Sequence, residues 1–362
     1  MRILLTLIAA TTFAQAADPL PVSKEYWKSD SFRKAFNGSY RINARVEPFV
    51  DTKERGLLVE VQELMAKEQR TNALKKLTGS DLIKSSAAIM FNAGNLAYES
   101  GDMKLAEEQF LAAIKKFPTF LRAHQNLAVV YTQQDSYDKA FPHLLEAVRL
   151  GTQDGMVMGL LGYCYQQKGN FTSALQAFRN AQLTDAQNLE WKRGEAYCHD
   201  QLGDFEKALN LYETVVKAKP EEHSYALLLV NLYQRMDRGE DAIVLLELLR
   251  RKGALEDVDK ILLGELHMRY GSRKLGADAI REALKSDELT EVDAALNVIL
   301  FSLERGDVNL AKEFHGLIKP DLLQTEMSKE KHQRLGAWVI LADNTIDDKA
   351  LAVLSLQELI KS

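Results

Sequence analysis

The chain is 362 residues long, 46% hydrophobic and 8% aromatic, with 46 Lys and Arg against 51 Asp and Glu for a formal net charge of −5. That apolar content suits a folded core rather than a disordered chain, and the balanced charge with no basic stripe argues against a nucleic-acid partner. Only 7 Pro, 27% charged residues and few β-branched runs point to helices joined by short connections.

The first residues read as an address. Met1 and Arg2 give a basic start, Ile3 to Phe13 a mostly apolar stretch, and Ala14-Gln15-Ala16 the small-x-small pattern cut by a signal peptidase. Residues 1–16 are therefore expected to be a cleavable leader, and the mature protein to be periplasmic or secreted. A membrane-spanning helix needs about 20 apolar residues, and no later run reaches that length. No cysteine stands at the cut, so no lipid anchor is expected.

Residues 17–52 read as an extended arm. They hold Tyr26, Trp27, Phe32, Phe36 and Tyr40 with three prolines, and alternate near Ile42 to Val50, so the segment is expected to lie extended against the first helices. Two readings fit: packing that seals one end of the fold, or an arm that binds a partner. The first is preferred, because chain ends are commonly tied down by such contacts. Residues 53–86 then have the apolar period of a capping helix pair without a turn glycine.

From Ala87 the chain repeats itself every 34 residues. "GYCYQQKGNFTSALQAF" from Gly162 lies over "AYCHDQLGDFEKALNLY" from Ala196, matching Tyr163 with Tyr197, Cys164 with Cys198, Gly169 with Gly203 and Ala174 with Ala208. Units starting at Ala87, Leu121, Gly155 and Leu189 keep the pattern strongly. Those from His223, Asp257 and near Val292 keep parts of it, to about residue 325. In the fifth unit the turn "RMDRGED" departs, and in the sixth Gly276 replaces the expected Ala. Residues 326–362, with Trp338, Leu341, Ala350 and Leu354, read as a degenerate closing pair.

The pattern resembles the tetratricopeptide repeat, a helix-turn-helix unit of 34 residues with small residues at positions 8 and 20, aromatics at 11 and 24, and Pro at 32. The resemblance implies an all-α, right-handed superhelical solenoid. Small residues at 8 and 20 let the two helices of a pair approach, Gly at 15 turns the chain, and Pro at 32 stops the second helix. One pair cannot bury its own apolar face, whereas stacked pairs can.

Catalytic and metal chemistry find no pattern to stand on. His124 and His199 fall at positions 4 and 11, where a buried ring is ordinarily wanted, and His143, His223, His267, His315 and His332 have no ligand spacing. Glu265 and His267 lie two apart on a helix and face different ways. No nucleophile elbow, phosphate loop or dinucleotide fingerprint occurs, so no enzyme and no cofactor are expected. Cys164 and Cys198 occupy position 10 of adjacent pairs. Packed helices lie about 8 to 10 Å apart, too far for the Cα separation a disulfide requires, so both read as small buried hydrophobes.

What remains is a surface. In the tetratricopeptide family positions 2, 5, 9, 12 and 13 of the first helix face the concave groove. Here they supply Asn95, Tyr98, Gln125, Gln133, Tyr163, Gln166, Gln167, Arg193, Tyr197, Asp200, Gln201, Asn231, Gln234 and Arg235. Exposed tyrosines at 163 and 197, flanked by amides and arginines, would suit an extended or helical peptide. The carboxylate clamp of the family's chaperone-binding branch is disfavoured: Asn95 matches it, but Phe91, Met156 and Leu160 do not.

Leader and repeats together imply an envelope scaffold or adaptor that binds a protein or peptide. "NARVEPFV" ahead of "ERGLLVEVQEL" is similar to extracytoplasmic tetratricopeptide proteins that accompany TonB-type systems, which implies an accessory docked on a transport complex. Alternatives are an adaptor for cell-wall or outer-membrane assembly and a glycan-binding protein, the latter opposed by the scarcity of groove Trp and the missing lipid-anchor cysteine.

Overall fold

The computed structural model describes residues 19–37, 45–290, 292–343 and 352–353. The expected leader, Tyr40 and Ile42 of the arm, and Ala350 and Leu354 of the closing pair lie outside the described residues. Every regular element among those described is helical.

Two short helices come first, α1 (Lys24–Lys28) and α2 (Asp30–Asn37). The pair α3 (Thr52–Ala66) and α4 (Arg70–Thr78) follows, then a 3₁₀ turn at Asp81–Lys84. Asp51 caps α3 in a reciprocal box with Glu54 at 2.8 Å each way. With no turn glycine available, Glu68 itself takes the left-handed conformation between α3 and α4, at φ 59°.

Helix pairs then recur: α5 (Ala87–Glu99) with α6 (Met103–Lys116), α7 (Leu121–Gln133) with α8 (Tyr137–Arg149), α9 (Gly155–Gln167) with α10 (Phe171–Thr184), and α11 (Leu189–Gln201) with α12 (Phe205–Ala218). The later pairs are α13 (His223–Arg235) with α14 (Gly239–Arg251), α15 (Asp257–Tyr270) with α16 (Arg273–Lys285), and α17 (Val292–Glu304) with α18 (Val308–Leu317); α19 (Glu326–Ala342) comes last. First helices from α5 to α15 start at 34-residue intervals. Each begins where a side chain can cap it or an apolar run begins; Ser86, Asp154 and Asn188, for example, accept from the amides of Ile89, Met156 and Glu190.

Close approach within a pair is set by position 8. A Cβ on Gly162 would stand 2.8 Å from the Phe178 ring, and one on Gly194, in the next pair, 2.4 Å from the same ring. Phe178 is a wedge between three helices. At the turns, Gly169 and Gly203 adopt φ +70° and +80°, while Asp135 and Asp237 take the same conformation in the two units lacking the glycine.

The chain divides into two compact units, residues 17–215 and, for its described part, 216–362, with the boundary inside α12. The N-terminal unit has one large core, from Val22 through Phe110, Leu144 and Leu160 to Trp191, and a smaller one around Leu77 and Ile89. The C-terminal unit packs around Val230, Leu246 and Leu263 and around Ile280, Ile299 and Phe314.

Candidate functional site

The first helices of the N-terminal pairs carry the groove side chains, and the chain's own arm lies on them. The arm lies against first helices with Lys24–Lys28 and Asp30–Asn37 helical rather than extended, and it does not merely seal an end, as the preferred sequence reading had it. Its contacts run from Tyr98 on α5 to Arg193 on α11, because its aromatics find partners along the first helices rather than beside the terminal pair.

Residues 19–23 run extended and are held mainly by their backbone. Three consecutive carbonyls accept from groove side chains: Pro19 from Gln167 Nε2 at 3.4 Å, Leu20 from Gln166 Nε2 at 2.7 Å, and Pro21 from the Arg193 guanidinium. Two amides then donate, Val22 to the Tyr137 hydroxyl at 3.2 Å and Ser23 to Glu190 Oε1 at 2.7 Å. The Ser23 hydroxyl donates to Glu190 Oε2 at 2.6 Å and also accepts from the Tyr26 amide, capping α1.

Beyond Ser23 the arm is held by rings. Tyr26 lies 4.8 Å from Trp191, and Tyr26, Phe32 and Phe36 follow one another at 5.6 Å spacing until Phe36 stacks on Tyr98 at 4.5 Å. Such contacts add to the large apolar area that aromatic rings bury. Ser31 donates to Asp185. The arm leaves part of the groove unfilled: a cleft of about 490 Å³ remains beside it, lined by Tyr26, Ser31, Lys34, Asp154, Asp185 and Trp191.

Under the arm sits a buried ion pair. Glu190 is 3% exposed and meets Arg193 at 2.6 Å, while the Tyr163 hydroxyl donates to Glu190 and accepts from Arg193. Burial would push the Glu190 carboxyl up, but the Arg193 charge and the bonds from Arg193, Ser23 and Tyr163 hold it below the usual carboxylate range. Burial pushes the Tyr163 phenol far above its ordinary value.

The expectation of exposed groove tyrosines is corrected here. Tyr163 is 0% and Tyr197 4% exposed. Tyr163 lies against Phe178, whose ring is 5.0 Å away, and Tyr197 is 6.1 Å from Phe171. Gln166 and Arg193 are likewise buried, under the arm. Gln125, also buried, donates to Thr152, and half-buried Asn95 accepts from Asn126. Tyr98 and Gln201 are half-buried; Asn231, Gln234 and Arg235, on α13 of the C-terminal unit, are exposed.

Sequence reasoning missed Glu190, Trp191 and Tyr137. Glu190 occupies position 2 where other units carry Ala88 or Met156, and its place three residues before Arg193 was the available signal. Cys164 and Cys198 are buried free thiols, pushed up to about 12 chiefly by burial. Buried His124 faces His143 across 3.0 Å, and buried His199 meets Asp204 at 3.0 Å. Among the described residues no group of three or more His, Cys, Asp or Glu is placed to hold a metal ion, and no helix is long and apolar enough to cross a membrane.

Two tetratricopeptide repeat family models match the chain, one over residues 72–155 and one over 165–228 and 201–262. These helix pairs are tetratricopeptide repeats. No curated protein matches the chain. Among solved structures it is similar to a tetratricopeptide repeat protein from Parabacteroides merdae, at 15% identity and TM-score 0.48 over 68% of this chain and 98% of that one. MamA from Desulfovibrio magneticus is similar at 18% identity and TM-score 0.43, over 48% of this chain and 99% of its own. YrrB, a tetratricopeptide protein with an unusual peptide-binding site, is similar at 17% identity and TM-score 0.42, over 54% and 92%.

Proposed function

We propose that this chain is a non-enzymatic scaffold or adaptor of the cell envelope, binding a partner peptide or protein in the groove lined by the first helices of its repeats. The observation that carries the reading is the way the groove treats an extended segment. Five main-chain groups, from the Pro19 carbonyl to the Ser23 amide, are met by side chains, four of them by Gln167, Gln166, Arg193 and Glu190 on first helices and one by Tyr137 at the start of α8. Main-chain bonds of this kind supply affinity for an extended peptide, and pockets for alternate side chains supply selection. The envelope location rests on the leader pattern of residues 1–16, and the narrower role beside a TonB-type transport complex on the likeness of residues 43–64.

Photo-crosslinking tests the reading. A photoreactive residue at Gln201 or Asn231, on first helices, should capture a partner in native envelopes. One at Leu183, 84% exposed on the second helix of its pair, should not. Capture only from Leu183, or from none of the three, would remove the groove assignment.

A further inference from the structure

The cleft beside the arm has the size of a small-molecule site and an unusual set of unused groups. Its volume of about 490 Å³ lies within the range of about 300–1,000 Å³ of ordinary ligand sites. The arm supplies Tyr26, Ser31 and Lys34 to it; the repeats supply Asp154 before α9, Asp185 after α10 and Trp191 on α11.

Three oxygens of these residues have no hydrogen-bond partner among the described residues. Tyr26 is 4% exposed, yet its hydroxyl neither donates nor accepts. Burial, then the charges of Asp154, Glu190 and Asp185, push its phenol far above the ordinary value. Each cleft carboxylate, itself half-buried, gives one oxygen to the fold and leaves the other. Asp154 Oδ1 accepts from the Met156 amide at 2.8 Å, and Asp185 Oδ2 accepts from Asn188 at 3.0 Å and from Ser31. Asp154 Oδ2 and Asp185 Oδ1 meet no donor.

Such a surface calls for a cation rich in N–H groups. The two carboxylates repel an anion, and Glu190 is already neutralised by Arg193. Trp191 is 1% exposed and presents no face on which a sugar ring could lie. An ammonium or guanidinium brings several donors, and its bonds to carboxylates are roughly twice as strong as neutral ones. Ala35 and Met156 add apolar lining for an alkyl stem. Exposed Lys34 contributes one positive charge, which matches a carboxylate or carbonyl at the other end of that stem.

We infer that this cleft binds a basic amino-acid unit, its ammonium or guanidinium held by Asp154, Asp185 and the Tyr26 hydroxyl, and its carboxylate or main-chain carbonyl by Lys34. The unit is a free basic amino acid or a Lys or Arg residue of a protein segment. It bridges the arm and the repeats, and it can occupy the cleft whether or not the rest of the groove takes a partner.

Calorimetric titration of the intact chain with L-arginine, L-lysine, agmatine and L-citrulline tests this. Citrulline keeps the shape of arginine without its charge, and agmatine keeps the guanidinium without the carboxylate. L-arginine or L-lysine should bind with a Kd of about 1 mM or below, and L-citrulline at least about 10-fold more weakly than L-arginine. Nα-acetyl-arginine amide separates the sources: affinity equal to that of L-arginine points to a residue within a protein segment, and a loss of about 10-fold to the free amino acid.

Conservative variants place the ligand. Asp154→Asn still caps α9, since asparagine caps as well as aspartate, Asp185→Asn keeps an acceptor for Ser31, and Tyr26→Phe keeps the ring. Each should weaken L-arginine binding about 5- to 10-fold. Lys34→Gln should weaken L-arginine and not agmatine. No binding of either amino acid up to about 10 mM, or equal binding of L-arginine and L-citrulline, would overturn the proposal. Unweakened binding by the double variant Asp154→Asn/Asp185→Asn would do the same. Should that variant lose helicity, hydrogen exchange on the parent decides. L-arginine at about ten times its Kd should slow the amides of Ser31 to Ala35 about 10-fold, and unchanged exchange there would sink the idea. Crosslinking from Gln201 or Asn231 reads the partner surface separately, so either reading can fail without the other.

Discussion

Glu190 is the residue on which the groove turns. It joins the arm, through Ser23, to the floor, through Tyr163 and Arg193, inside a region closed to water. A buried pair is seldom a large net gain, but breaking it strands the other charge, so Glu190→Gln should cost about 3–5 kcal/mol in urea unfolding. A loss below about 1 kcal/mol would mean that water reaches the pair. A second residue sets a pH response. His143 is pushed down to about 4 by burial and then by the facing His124 ring, with Glu146 opposing weakly. In the unfolded chain it returns to about 6.5, so between those values the unfolded chain binds the extra proton and stability falls as pH drops. The urea midpoint should therefore fall between pH 7 and pH 5 by more in the parent than in His143→Gln; equal falls would put the response elsewhere.

At the scale of the helix pair, one contact decides the spacing. Phe110 faces Gly94 and Phe178 faces Gly162, each ring seated where a Cβ would stand less than 3 Å away. The small residue at position 8 and the aromatic at position 24 are thus two halves of one packing unit, legible in the sequence because both recur at 34 residues. Gly162→Ala must push the Phe178 ring, itself wedged against Gly194, and should cost about 1–3 kcal/mol despite the better helix propensity of alanine. A stabilised Gly162→Ala variant in thermal melting would show that the ring has room to retreat. The turns were less legible. Asp135 and Asp237 bend as glycine would, and each accepts from a nearby phenol, Tyr137 and Tyr270 respectively; a short acidic side chain there anchors a ring that glycine could not.

For the whole molecule, stability in each unit is a sum of pairs and the contacts between neighbours. Phe178→Ala should cost about 3–5 kcal/mol and accelerate hydrogen exchange first in α9, α10 and α11, with α3 and α4 least affected. Uniform acceleration through residues 52–215 would mean that the N-terminal unit opens only as one body. The arm modifies this one-dimensional picture because it contacts first helices from α5 to α11 and so couples pairs that do not touch. The sequence placed that segment correctly as aromatic and proline-rich but assigned it to sealing one end. The repeat period governs residues that meet partners at fixed offsets, and the arm meets its partners at varied separations of up to 172 residues.

Local patterns settled the helix pairs, their starts, the small-residue crossings and the burial of both cysteines, because each depends on residues within one period or on the same position of the next. Which groove residues are exposed could not be settled that way. Tyr163, Gln166 and Arg193 sit where the repeat directs them inward, yet they are buried because another part of the chain lies over them or a neighbouring ring closes on them. Gln166 reads in the sequence as one amide among many, and only the packed fold shows it giving its hydrogen to Leu20 while its oxygen faces no donor. Occupancy of a groove is a competition among all segments able to reach it, and that competition is decided by three-dimensional contact rather than by spacing along the chain.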